Sequence, residues 1–183
     1  MEIGDGLHLL PGEDGEIPVR ARWVAQGETP EAIAVDGNVV YSADIVIRAF
    51  DLADGTVLWV CEGEDAFEAS GGVVIGREGP DVIRVFAPFE YDARIDRATG
   101  RLITLDSAPA AAVGFTPFPA PASNRFQIEP DLEETVAYWP DGRVAWRLVV
   151  DSPFVDPQPP IEVEGVIVYS ASGGQIVVLD ASG

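Results

Sequence analysis

A tight turn followed by a tryptophan recurs along this 183-residue chain. Residues 51–59 read DLADGTVLW, residues 96–104 read DRATGRLIT, and residues 139–146 read WPDGRVAW. Residues 179–183, LDASG, open a fourth copy. The turn glycines stand at 55, 100, 142 and 183, giving intervals of 45, 42 and 41 residues. A period near forty with one turn per unit marks an array of small sheets, each needing its neighbour to bury its apolar face.

One repeat shows how such a sheet is built. Residues 34–42 read AVDGNVVYS, two β segments joined by Asp36-Gly37, and Asp-Gly is the strongest short hairpin signal. Residues 45–50 form the next strand, and the Asp54-Gly55 turn leads into residues 56–60. Clustered Val and Ile with frequent Gly or Pro disfavour helix. The expected fold is all-β: a β-propeller-type array of about four four-stranded antiparallel blades. Blades fall at about 26–62, 63–106, 107–150 and 151–183, the last completed by residues 19–24, behind an extended or poorly ordered leader, 1–18.

A second landmark checks this register. Gly37 to Gly55 is 18 residues, as is Gly165 to Gly183, and 18 back from Gly142 lies Asn124, another residue that tolerates a positive φ. Gly72 to Gly100 is 28, ten too many. The surplus is assigned to residues 77–80 and 87–92, and insertions in such arrays collect on the binding face. The Pro-rich stretches 115–121 and 152–160 read as extended connectors between blades. Asp51, Asp96 and Asp180 read as turn formers, and Trp23, Trp59 and Trp146 as packing between blades.

The ends carry one further expectation. Residues 19–24, VRARWV, place Trp23 where Trp59 and Trp146 stand in their repeats. Completing the last blade with this N-terminal strand removes an exposed sheet edge. Four blades could close alone, two chains could pair as a homodimeric ring, or the chain could be part of a longer propeller. A partial or paired ring is the expectation.

These residues resemble the PQQ-like, quinoprotein-type (WD40-like) β-propeller repeats. The resemblance rests on Gly37–Tyr41 with Phe50-Asp51, Gly55 and Trp59, and on Gly165–Tyr169 with residues 175–180 and Gly183. The second copy departs from it, with Thr104 where Trp is expected. In the quinoprotein dehydrogenases the resemblance implies PQQ with calcium, beside a disulfide of adjacent cysteines. A lone Cys61 excludes that disulfide, and no PQQ or calcium residue can be matched position by position. No cofactor is expected. The repeat specifies a scaffold and no chemistry of its own.

Other motifs are equally silent. His8, the only histidine, lies in the leader without the rigid support a catalytic imidazole needs. One Cys and one His cannot close a zinc site. The carboxylates at 62, 64, 65 and 68, and at 129, 131, 133 and 134, lack a calcium-loop pattern and read as solvated. Gly71-Gly72 and Gly173-Gly174 read as hairpin glycines. With 31 acidic and 11 basic residues the net charge is −20, which opposes nucleic acid and anionic lipid as partners. No signal peptide is visible, and no apolar run reaches membrane-helix length.

The reading is therefore a non-catalytic binding or scaffold module that presents an acidic surface to a protein or small ligand. Phe86, Phe89, Glu90 and Tyr91 are its candidate contact residues. The rival readings are a degenerate quinoprotein dehydrogenase or carboxylate-based hydrolase, and a fragment of a longer propeller.

Overall fold

The computed structural model describes residues 1–4, 6–26, 30–62, 67, 72–109, 111, 113–118, 125–130, 134–150, 159–171 and 174–181. Asn124, Gly71, Gly173, Gly183, the carboxylates at 64, 65, 68, 131 and 133, and most of the second Pro-rich connector lie outside them. The described residues contain no helix, and so none that could cross a membrane. The strands are β1 (Glu2–Gly4), β2 (Leu7–Pro11), β3 (Arg20–Gln26), β4 (Ala32–Asp36), β5 (Val39–Ala43) and β6 (Val46–Asp51). They continue as β7 (Val57–Glu62), β8 (Val74–Arg77), β9 (Val82–Ala87), β10 (Tyr91–Asp96), β11 (Leu102–Ser107) and β12 (Thr116–Pro117). The last are β13 (Gln127–Pro130), β14 (Glu134–Tyr138), β15 (Val144–Val150), β16 (Ile161–Val163), β17 (Val166–Ala171) and β18 (Gln175–Asp180).

These strands make four antiparallel sheets of four or five strands, in two compact units. Residues Pro30–Pro119 hold β4-β5-β6-β7 and β11-β10-β9-β8-β12. Residues Met1–Thr29 with Ala120–Gly183 hold β1-β2-β15-β14-β13 and β16-β17-β18-β3. The N-terminal strand β3 does complete the fourth-repeat sheet, pairing with β18 so that Trp23 faces Val178.

One irregularity repeats in every sheet. Ala49 faces Trp59 but Phe50 faces Val57, so one residue of β7 bulges out. The same slip follows Arg94 opposite Thr104, Ala137 opposite Trp146, and Val178 opposite Trp23. Such bulges add local twist to the outer strand. Thr104 therefore occupies the tryptophan position of the second sheet, as its spacing implied. The turns repeat as well: Gly55 N–H donates to the Asp51 carbonyl and Gly100 N–H to that of Asp96, both at 2.9 Å.

Two features depart from four identical blades. Residues 1–18, read as a leader, carry β1 and β2, and β2 adds to the outer edge of β15 with Leu7 and Leu9 fully buried. Residues of the first Pro-rich connector form β12, which pairs with β8 instead of opening the third-repeat sheet. Pro117 has no N–H to donate, and the sheet edge is where a strand can lack one. Gly76, facing Pro117, allows the approach, because a Cβ there would stand 2.4 Å from the Thr116 carbonyl oxygen.

The core of unit 30–119 gathers Tyr41, Ile47, Trp59, Ile83, Val85 and Ile95, all buried. That of the other unit gathers Leu7, Leu9, Trp146, Leu148, Ile167 and Leu179. Central strands such as β18 are buried on both faces, whereas β11 is exposed along most of its length.

Candidate functional site

The four sequence-selected contact residues surround the β9–β10 hairpin. Ala87 faces Tyr91 across it, leaving residues 88–90 as the loop. Glu90 N–H donates to the Ala87 carbonyl at 3.1 Å, which closes a β-turn with Pro88 and Phe89 at its centre. Phe89 has φ 65°. A proline followed by a positive φ is the type II pattern, whose second central position normally belongs to glycine. Phe89 is nevertheless 77% exposed. Phe86 and Tyr91 are buried beneath it, and Glu90 is half-buried, so the structure presents one of the four directly.

Beneath this turn lies a buried ion pair. Arg84 Nε and one terminal nitrogen donate to the two Asp92 oxygens at 2.7 and 2.6 Å, and the other donates to the Val113 carbonyl at 2.6 Å. The guanidinium lies against both the Phe86 and Phe115 rings, 5.9 and 5.0 Å from their centres, and the two rings are themselves 6.4 Å apart. Both charges are paired and hydrogen-bonded, as burial requires.

The enlarged turn of the second repeat lies at the opposite end of the same sheet, where the sequence placed only part of the surplus. Val82 faces Asp96 as Val39 faces Asp51, and Glu78 N–H donates to the Val82 carbonyl at 3.0 Å, leaving three turn residues, 79–81, where Asp36 facing Val39 leaves two, 37–38. The counterpart of Gly37 is thus Gly79, not Gly72, and 100 − 79 = 21 exceeds 18 by three residues, one of them in this turn. The other two lengthen the β9–β10 hairpin, since Val82 to Asp96 spans 14 residues where the equivalent Val39 to Asp51 spans 12. The extra chain is therefore shared between the 79–81 turn and the 87–91 end of the β9–β10 hairpin, within or beside the two stretches to which the sequence assigned it.

That turn borders a cavity of about 550 Å³, lined by Asp36, Arg77, Gly79, Pro80, Thr116, Pro117 and Phe118. Asp36 takes ion pairs from Arg77 and from Arg97, the latter at 2.7 Å. Phe118 stacks on Tyr41 with ring centres 5.7 Å apart and planes 4° from parallel, and Arg77 lies 5.7 Å from its ring centre. Burial pushes the Tyr41 hydroxyl above its ordinary range, opposed by the neighbouring Arg97 guanidinium. Sequence reading had selected none of these residues; the signal that could have found them is the insertion at 79–81.

In the other unit a cavity of about 450 Å³ is lined by Glu16, Arg20, Arg125, Trp139 and Asp180, among others. Its charged side chains balance two against two. Among the described residues no three His, Cys, Asp or Glu side chains are gathered to hold a metal ion. Cys61 is buried, which raises its thiol pKa and leaves it a poor nucleophile.

No protein-family model and no curated protein matches the sequence. Among solved structures, BamB from Moraxella catarrhalis is similar at 12% identity and a TM-score of 0.34, over 81% of this chain and 42% of that one. The computationally designed Ika4 protein is similar at 15% identity and 0.36, over 84% and 92%. The designed Ika8 protein is similar at 13% and 0.34, over 80% and 57%. The chain thus spans less than half the length of BamB.

Proposed function

We propose that this domain is a non-catalytic binding module of the β-propeller-repeat type, and that Phe89 is its anchor for a protein partner. One observation carries the reading: a phenylalanine occupies a positive-φ turn position and is 77% exposed. Non-glycine residues in that region cost on the order of 1 kcal/mol, and such strain clusters at functional sites. Little packing offsets the cost here. Exposed aromatic side chains that fill a partner's pocket are the usual source of binding energy at an interface. The net charge of −20 favours a partner with basic groups around that pocket.

The test is selection of peptides from a displayed random library on the wild-type chain, with Phe89→Gly as the counter-target. Selected peptides should combine apolar residues with Lys or Arg and bind Phe89→Gly about tenfold more weakly or worse. Equal affinity for both proteins would overturn the reading.

A further inference from the structure

We propose that the cavity beside the 79–81 turn is a binding site for a small organic carboxylate with an aromatic or apolar body. The argument is an inventory of donors, charge and shape. Two guanidiniums, Arg77 and Arg97, converge on the single carboxylate of Asp36. Together they offer about ten N–H donors against about four acceptor sites on one carboxylate. Arg77 Nε and Asp36 Oδ2 are buried with no hydrogen-bond partner among the described residues, although that oxygen stands 2.7 Å from Arg97 in their ion pair, and Arg97 spends one further donor on the Pro80 carbonyl at 3.5 Å. The cluster thus holds a buried donor without an acceptor and carries a local charge of +1, within a protein of net charge −20. A second carboxylate supplies both missing quantities, and guanidinium forks match its planar geometry.

The remaining walls define the rest of the ligand. Pro80, Pro117 and Phe118 are apolar, and the Phe118 ring stacks on Tyr41 with Arg77 5.7 Å from its centre. A volume of about 550 Å³ falls within the range of small-molecule sites. A bare inorganic anion would leave those walls unfilled, and a neutral apolar molecule would leave the guanidinium donors unanswered. One of the three residues by which the second repeat exceeds the first lies in the turn that borders this cavity. The site is at the opposite end of the sheet from Phe89 and stands independently of what that turn binds.

Titration of the full chain with phenylacetate, 2-phenylethanol and inorganic phosphate, followed by calorimetry, tests the site. Saturable binding of phenylacetate, about tenfold tighter than either of the others, is expected. Arg77→Met should weaken phenylacetate binding about tenfold or more. Thr116→Glu keeps the test open if Arg77→Met misfolds, since this exposed position at the cavity wall faces Arg77 across the β8–β12 pair and sets a competing, repelling carboxylate beside it. It should weaken binding to a similar degree with an unchanged circular dichroism spectrum. Absence of saturation by about 10 mM phenylacetate, equal binding of 2-phenylethanol or phosphate, or unchanged affinity in folded Thr116→Glu would overturn the proposal.

Discussion

A Cβ on Gly100 would stand 2.7 Å from the indole ring of Trp59. The tryptophan of the first repeat thus packs directly on the turn glycine of the second, and its Nε1–H donates to the Arg97 carbonyl of that turn at 2.9 Å. This contact gives the Gly and Trp of the repeat a joint physical reason. Gly100 is constrained twice, by φ 72° and by the ring against it, whereas Gly37 has φ 59° and nothing within 4 Å. Gly37→Ala should therefore cost roughly 1 kcal/mol, for the backbone alone. Gly100→Ala should cost roughly 2–4 kcal/mol, since overpacking adds to it. Urea unfolding of the two variants measures the difference, and equal losses would contradict the packing argument.

The Arg84–Asp92 pair stabilises through completeness rather than charge. Its members are 3% and 5% exposed, so removing one leaves the other buried and uncompensated. Asp92→Ala should cost about 3–5 kcal/mol, and replacing both, as Arg84→Met with Asp92→Leu, should recover most of that loss. Double-mutant analysis by urea unfolding reads this directly. A double variant no better than Asp92→Ala would mean that the pair also fixes the sheet in some apolar-irreplaceable way.

The legible parts of this fold share one property: a local backbone demand that few residues can meet. The turns at Gly37, Gly55 and Gly100 need positive φ, so their spacing displayed the repeat. Trp23 marked β3 as the closing strand of the fourth-repeat sheet because it carries the same bulge-side tryptophan as β7 and β15. The turn at 79–81 misled because Gly72, also at positive φ, imitates the landmark that Gly79 supplies. The cavity cluster was hidden for a different reason. Asp36 and Arg77 are 41 residues apart on different sheets, and only the packing of those sheets within unit 30–119 brings them and Arg97 together. Phe89 was visible as an apolar residue in a loop, but its strain is a property of φ that no composition reveals.

Strain at Phe89 has a stability consequence of its own. Phe89→Gly relieves a positive φ at a position whose side chain is mostly solvated, while adding some unfolded-state entropy. The relief is the larger effect, so the variant should be more stable than wild type, by up to about 1 kcal/mol. A raised urea midpoint at unchanged m-value is the expected outcome. A lowered midpoint would show that the ring contributes more to the fold than its exposure indicates.

Three buried tyrosines set an alkaline limit. Burial raises the hydroxyl pKa of Tyr41, Tyr91 and Tyr169 above the ordinary value near 10. For Tyr91 the charges of Glu90, Glu31 and Asp44 add to the burial effect, while for Tyr169 the hydrogen bond to Thr135 opposes it. In the unfolded chain these groups lose their protons first, so above about pH 10 the unfolded state holds fewer protons than the folded one. Their contribution is fully present below that pH and is lost as pH rises through the folded values. Stability by urea unfolding should fall from about pH 10 upward, and Tyr91→Phe should flatten the decline. An unchanged slope in that variant would contradict the assignment to Tyr91.

The strand β2 separates a structural N-terminus from a passive one. Leu9 faces Leu148 and is fully buried, whereas Leu10, its neighbour, faces Arg147 and is 37% exposed. Alternation along a strand sends these two side chains to opposite faces of the sheet. Leu9→Ala should then cost about 2–5 kcal/mol, the range for emptying a buried leucine site, and Leu10→Ala about 0.5 kcal/mol or less. A leader lying outside the fold would make both changes silent, so two thermal midpoints distinguish the cases. If only Leu9 matters, residues 7–11 are a working strand of the third-repeat sheet, and the outer edge of β15 owes its cover to them.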